Sequence, residues 1–138
     1  MKRIVPIIAL SLFVSACGSG GILPSAAPTP NPVPGVVETI LPAGYKYVSD
    51  YVTTRGGDAV WVVEVTEPSQ ELPFGKAAAF FRRFAGVVDT TDVAWLELSI
   101  VKTDFSVPYA FWVQSGPARA AARGEISEMD LMLQLHYN

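Results

Sequence analysis

The tetrapeptide Arg55-Gly56-Gly57-Asp58 constrains the fold of this chain most, because it separates two segments that have the pattern of β-strands. Residues 45–54 alternate between polar and apolar side chains, and residues 59–66, AVWVVEVT, are apolar almost throughout. Glycine adopts the positive φ angles that two-residue hairpin turns require. The sequence therefore predicts an antiparallel hairpin whose second strand lies near the centre of a sheet.

The segment LPFGKAAAFFRRFAGVV, residues 72–88, has the spacing of an amphipathic helix. Its buried stripe is predicted to comprise Phe74, Ala77, Ala78, Phe81, Ala85 and Val88. The opposite side of the helix carries Lys76, Phe80, Arg83 and Val87. Aromatic and arginine side chains are enriched at the centres of protein interfaces, so these four residues form the candidate partner-binding surface.

Three further strands and a short helix follow in the sequence. Residues 93–102 alternate, with Leu96, Leu98 and Ile100 predicted to face the core. Residues 109–114 predict a fourth strand, and Ser115-Gly116-Pro117 predicts the start of a helix that Gly124 ends. Residues 129–137 alternate again and predict a last strand.

The predicted order ββαββαβ indicates a small α+β domain, with an antiparallel-rich sheet of about five strands and two helices on one face. An alternative is a ferredoxin-like βαββαβ arrangement with an extra N-terminal strand. The two arrangements exclude each other. In the ferredoxin-like order the strand at residues 59–66 already has a neighbouring strand on each side, so the strand at residues 45–54 cannot pair with it as a hairpin. We favour the hairpin.

The first 17 residues have the features of a bacterial export signal. Lys2 and Arg3 precede an apolar run that is too short to span a bilayer. Val14-Ser15-Ala16-Cys17 then resembles the lipobox of bacterial lipoproteins, a class in which the signal peptide is cleaved before the cysteine. The resemblance implies a signal peptide at residues 1–16 and fatty acylation of Cys17, the only cysteine, with palmitate among the expected acyl groups.

Residues 18–42 contain six prolines and little charge, so residues 17–42 are predicted to be an acylated cysteine followed by a flexible tether. The folded domain is then expected at residues 43–138. In lipoproteins of Gram-negative bacteria an aspartate after the cysteine often marks inner-membrane retention. Gly18 at this position implies an envelope protein attached to the outer membrane, if the host has one.

Charge and residue content argue against several classes of function. The net charge is −3, and cleavage after residue 16 removes Lys2 and Arg3 and makes it −5. A chain this acidic is not expected to bind nucleic acid. We expect no cofactor and no metal, because zinc sites need several Cys, His or carboxylate ligands, and the Asp89/Asp92 loop supplies too few oxygens for calcium.

Catalysis is not expected either. The single histidine, His136, is predicted to face solvent near the end of the chain, and so are the strand carboxylates Glu64 and Glu97. Convergence of Glu64 and Glu97 beneath a cleft is the feature that would favour an enzyme.

Two binding functions follow from these expectations. The first hypothesis is a lipid-anchored, non-catalytic accessory component that binds another protein of a bacterial envelope assembly. The alternative is a ligand-binding module for peptidoglycan, polysaccharide or lipid, with Tyr45, Tyr47 and Tyr51 as an aromatic surface on one sheet face.

Overall fold

Six strands and four helices make up the part of the chain that the computed structural model describes, namely residues 29–30, 34–66, 72–102, 107 and 109–138. Cys17, the lipobox-like segment and most of the predicted tether lie outside the described residues. The elements in chain order are β1 (Thr29–Pro30), α1 (Pro34–Ile40), β2 (Lys46–Arg55), β3 (Asp58–Thr66), α2 (Phe74–Val87), β4 (Trp95–Val101), β5 (Tyr109–Gln114), α3 (Ser115–Ala122), α4 (Glu128–Met132) and β6 (His136–Tyr137).

The strands form one sheet in the order in which they occur along the chain. Every neighbouring pair is antiparallel except β3 and β4, which are parallel and are connected through α2. The prediction of an antiparallel-rich α+β domain is confirmed. The ferredoxin-like alternative is wrong, because the neighbours of β3 are β2 and β4.

The hairpin between β2 and β3 is also confirmed. Arg55 and Asp58 form its last pair, so Gly56 and Gly57 alone make the loop. Their φ angles are 60° and 94°. Glycine adopts such values without strain, and this explains why a Gly-Gly pair is suited to the loop between the strands.

All four helices pack on one face of the sheet. The core there combines Val37 and Ile40 of α1, three phenylalanines of α2, and small or aliphatic side chains of α3 and α4 with the inward residues of β3, β4 and β5. Leu96, Leu98 and Ile100 face this core as predicted. Two helices, α1 and α4, add to the two that the sequence predicts on this face.

Helix α1 lies in the segment that we predict to be a tether. Val37 is fully buried, and α1 packs against β2 and α2. The folded domain of the structure therefore includes parts of the predicted tether, namely Thr29–Pro30 in β1 and the residues from Pro34 onward.

Helix α4 replaces most of the predicted last strand. Ser127 accepts a hydrogen bond from the backbone N–H of Asp130, and the Asp130 side chain accepts from the backbone N–H of Ser127. This capping box satisfies backbone donors that a helix start leaves free. The predicted strand at residues 129–137 is wrong except for His136–Tyr137, because this local capping outweighs the alternation of leucines.

Within the described residues, each helix is too short or too polar to cross a membrane.

Candidate functional site

The candidate partner-binding surface on α2 does not form as predicted. Phe80 is only 1% exposed, and its ring packs against Phe81 and Phe84. Helix α2 packs against α1, α3 and α4 as well as the sheet, so more of its circumference is buried than one apolar stripe implies. Lys76, Arg83 and Val87 are exposed, but the aromatic residue that we place at their centre is part of the core.

The predicted tyrosine row is divided between the two faces of the sheet. Tyr47 pairs with Val65, but the next paired residue is Ser49 with Glu64, so Val48 is an extra residue in a β-bulge. The bulge shifts the alternation by one. Tyr45 and Tyr47 pack against the helix-side core, whereas Tyr51 lies on the opposite face. The expectation that all three tyrosines share one face is therefore wrong.

The face of the sheet opposite the helices carries a different aromatic and acidic row. Pairing across the strands aligns Tyr51 with Val62, Val62 with Glu97, Glu97 with Trp112, and Trp112 with His136. A second row beside it contains Ser49, Glu64, Ser99 and Ala110. We call this side of the sheet the open face.

A groove of about 530 Å³ lies on the open face. Its lining comprises Tyr51, Arg55, Val60, Glu64, Trp95, Glu97, Ser99, Val107, Ala110, Trp112 and Asn138. Volumes in this range are typical of small-molecule sites.

Glu97 lies at the base of the groove and is 5% exposed, so the expectation that it faces solvent is wrong. The Arg55 guanidinium donates to both carboxylate oxygens, with a distance of 3.1 Å from Nη2 to Oε1. Ser99 Oγ donates to Oε1 at 2.6 Å. Burial of a carboxylate is tolerated when a charged partner and further hydrogen bonds compensate for lost water, and both are present here.

Glu64 is half-buried beside Glu97 on the neighbouring strand and receives hydrogen bonds from hydroxyl groups. Ser49 Oγ donates to Oε2 at 2.6 Å, and Tyr51 OH donates to Oε1 at 3.1 Å. Burial, followed by the negative charge of Glu64 and the hydrogen bond to it, raises the pKa of the Tyr51 phenol. Tyr51 therefore remains a neutral hydrogen-bond donor to the Glu64 carboxyl group at neutral pH.

Three aromatic rings stand at the β4–β6 side of the groove. The His136 ring stacks on Trp112 with centroids 5.9 Å apart and 8° between the planes. Trp95 meets His136 edge-on at 5.6 Å, and its Nε1–H donates to Asp58 Oδ2 at 3.3 Å. His136 is exposed, as expected, and it stacks on Trp112, which lines the groove.

The two strand carboxylates lie together. Glu64 and Glu97 converge in the groove, which is the feature that would favour an enzyme, and each of their oxygens accepts a hydrogen bond from the protein. Among the described residues, no three His, Cys, Asp or Glu side chains are placed to hold a metal ion together. Asp89 instead accepts bonds from the backbone and hydroxyl of Thr91, as in a turn, and these bonds lower its pKa.

Sequence reasoning missed Trp95 and Trp112 as site residues. The signal for Trp95 is present, since alternation within β4 places it on the same face as Glu97. Trp112 joins this face only because β5 pairs with β4 in the observed register. That register is a tertiary property.

We compared the chain with protein-family models, with curated proteins and with solved structures, and none of the three comparisons gives a match.

Proposed function

We propose that the protein is a lipid-anchored component of a bacterial envelope whose folded domain binds a glycan in the groove on the open face. The single observation that carries the binding proposal is the combination of Tyr51, Trp95 and Trp112 with two carboxylates in one groove. In this proposal the protein does not catalyse a reaction on the glycan.

The lining of the groove favours a sugar over a lipid. Aromatic rings offer flat apolar surfaces against which the C–H face of a sugar ring packs, and fixed polar groups between them accept bonds from hydroxyls. Both kinds of group are present in this groove. A lipid acyl chain offers no hydrogen bonds, so it would remove water from the half-buried Glu64 carboxylate without giving new hydrogen bonds in return.

The anchoring part of the proposal rests on the sequence alone. Its support is the order of basic residues, apolar run, small residues and Cys17 at the N-terminus. A protein that carries two or more acyl chains is held stably at a membrane, whereas one chain gives marginal binding.

Glycan binding is tested by nuclear magnetic resonance of the three tryptophan Nε1–H groups during titration with peptidoglycan fragments and neutral oligosaccharides. Binding in the groove shifts the signals of Trp95 and Trp112. Trp61 is an internal reference, since it lies in the helix-side core with its Nε1–H bonded to Asp50 at 2.9 Å. We expect Trp112→Ala to weaken binding about ten-fold or more.

The matched control for Trp112→Ala is Phe74→Ala, which removes a partly exposed aromatic ring from helix α2. This variant is expected to bind like the wild type. If no glycan shifts the groove tryptophans, or if both variants lose binding equally, the proposed groove function is wrong.

Anchoring is tested by Cys17→Ser, which is expected to abolish labelling with fatty acid and to release the protein from the membrane fraction. A variant that stays in the membrane fraction, together with a wild-type protein that carries no label, would contradict the anchor. This result is independent of glycan binding.

A role as an accessory component that binds another envelope protein is a second candidate. Its support is the exposure of two large apolar side chains near α4, Met129 at 60% and Leu133 at 75%. Crosslinking in intact cells tests it, with loss of the crosslinked product on Leu133→Glu as the expected result. An unchanged crosslink in that variant would exclude this surface.

A further inference from the structure

Among the described residues, the groove is lined by two carboxylates, Glu64 and Glu97, but by one basic side chain, Arg55. This excess of negative charge indicates the charge of the glycan that would bind there. We propose that the ligand carries a free, protonated amino group, as in a glycan that contains unacetylated hexosamine, and that Glu64 binds this group. The inference rests on the proposed glycan-binding function and adds to it the chemistry of the ligand.

Arg55 is the only basic residue among the described lining residues, and it is already paired. Both of its terminal nitrogens bond to Glu97. The guanidinium charge is therefore used to compensate a carboxylate that is 5% exposed. An acidic ligand would have to compete with Glu97 for this arginine, so the groove disfavours anions.

Glu64 has no such cationic partner among the residues that the structure describes. Within the described part of the chain, its bonds come from Ser49 and Tyr51, both neutral hydroxyls, and none of the ion pairs includes it. Two hydroxyl donors also leave lone pairs on its oxygens, since an ionised carboxylate accepts about four bonds. Glu64 thus presents an uncompensated negative charge that is free to accept N–H donors from a ligand.

The aromatic side chains of the groove also favour a positively charged group on the ligand. The faces of Tyr51, Trp95 and Trp112 carry the negative end of the ring quadrupole, which attracts organic cations. An ammonium group on a sugar ring satisfies both features at once, because its N–H groups reach a carboxylate while the ring packs on an indole. A divalent metal ion is a poorer match, since it requires six or more oxygens and cannot use the rings.

The experiment is a calorimetric titration of the folded domain with β-1,4-linked glucosamine tetramer and with the fully N-acetylated tetramer, at two salt concentrations. We expect the free-amine oligomer to bind at least ten-fold more tightly. Its affinity is expected to fall as salt increases, because screening weakens an interaction between exposed charges.

Glu64→Gln is the decisive variant, since it keeps the shape of the side chain but removes the charge. Its amide oxygen still accepts from one of the two hydroxyls, and its NH2 group donates to the oxygen of the other. It is expected to lower the affinity for the free-amine oligomer about ten-fold and to leave the affinity for the acetylated oligomer unchanged. The matched control is Glu128→Gln, which removes the same charge from an exposed ion pair with Arg82 on the helix side. That control is expected to bind like the wild type.

The outcomes separate this inference from the proposed function. If the acetylated oligomer binds as tightly as the free amine, or if Glu64→Gln does not change the preference, the amino-group inference is wrong and glycan binding stands. If neither oligomer binds and the Trp95 and Trp112 signals do not shift, both are overturned.

Discussion

Arg55, at the end of β2, and Glu97, in the middle of β4, form a two-pronged ion pair across 42 residues of sequence. Strand β3 lies between them, so the Arg55 side chain reaches over β3 on the open face to meet the buried carboxylate. The pair therefore joins the hairpin to the second half of the sheet and shapes the base of the groove.

We expect Arg55→Ala to destabilise the domain by about 1–3 kcal/mol, because among the described residues it leaves Ser99 as the one remaining donor to a buried carboxylate. The measurement is the free energy of unfolding in urea. Arg123→Ala is the control, since it breaks an exposed pair with Glu125 and is expected to change the free energy of unfolding much less than Arg55→Ala. Equal effects of the two substitutions would show that the Arg55–Glu97 pair adds nothing to stability.

Phe80 gives a direct test of the packing around α2. The structure buries this ring, so Phe80→Ala is expected to cost about 3–5 kcal/mol through lost burial and the cavity that remains. Val87→Ala, at a side chain that is 53% exposed, is expected to change stability by less than about 0.5 kcal/mol. A near-neutral Phe80→Ala would place this residue on the surface, as the sequence alone suggests.

The start of α4 is held by the capping box of Ser127 and Asp130. Ser127→Ala removes the hydroxyl that accepts from Asp130 N–H, and we expect a loss of about 1 kcal/mol together with faster hydrogen exchange in residues 128–132. Ser127→Thr retains the hydroxyl, which also donates to Asp130 Oδ2 at 2.7 Å, and is expected to keep most of the stability. If both variants exchange at the wild-type rate, the capping box does not hold the helix.

Tyr47 makes the stability dependent on alkaline pH. Burial and then the hydrogen bond to Asp50, 2.6 Å long, raise its pKa from about 10 in an unfolded chain to about 12. Because the folded state holds this proton more tightly, the stabilisation is complete below pH 10 and is lost as the pH rises through 12.

The measurement is the free energy of unfolding at intervals from pH 9 to 12 for the wild type and for Tyr47→Phe. The wild type is expected to lose stability more steeply over this range. Some decline is expected to remain in the variant, because the pKa of Tyr51 is raised as well. Parallel curves would contradict the role of Tyr47.

Local chemistry explains what the sequence predicts correctly. The Gly56-Gly57 turn and the alternation of Leu96, Leu98 and Ile100 are properties of a few adjacent residues, so the hairpin and the inward face of β4 can be predicted without a structure. The helix that starts at Ser115 is of the same kind.

Tertiary contacts explain the rest. The burial of Phe80 depends on α1, which precedes α2 in the chain, and on α3 and α4, which follow it. A helical wheel of α2 alone does not include these neighbours. Similarly, Glu97 is buried because Arg55 covers it, which requires β2, β3 and β4 to be neighbours in that order. The groove forms because of this strand order. The pattern of residues within a single strand does not predict it.

The bulge at Val48 interrupts the outer edge of β2. Strand β1 pairs there with only Tyr51 and Val52, so within the described residues the rest of this ten-residue strand has no neighbouring strand on that side. A long regular edge is a template for pairing with another copy of the same chain and for aggregation. The extra residue displaces the backbone donors and acceptors from regular spacing, so two molecules cannot join along the full length of β2.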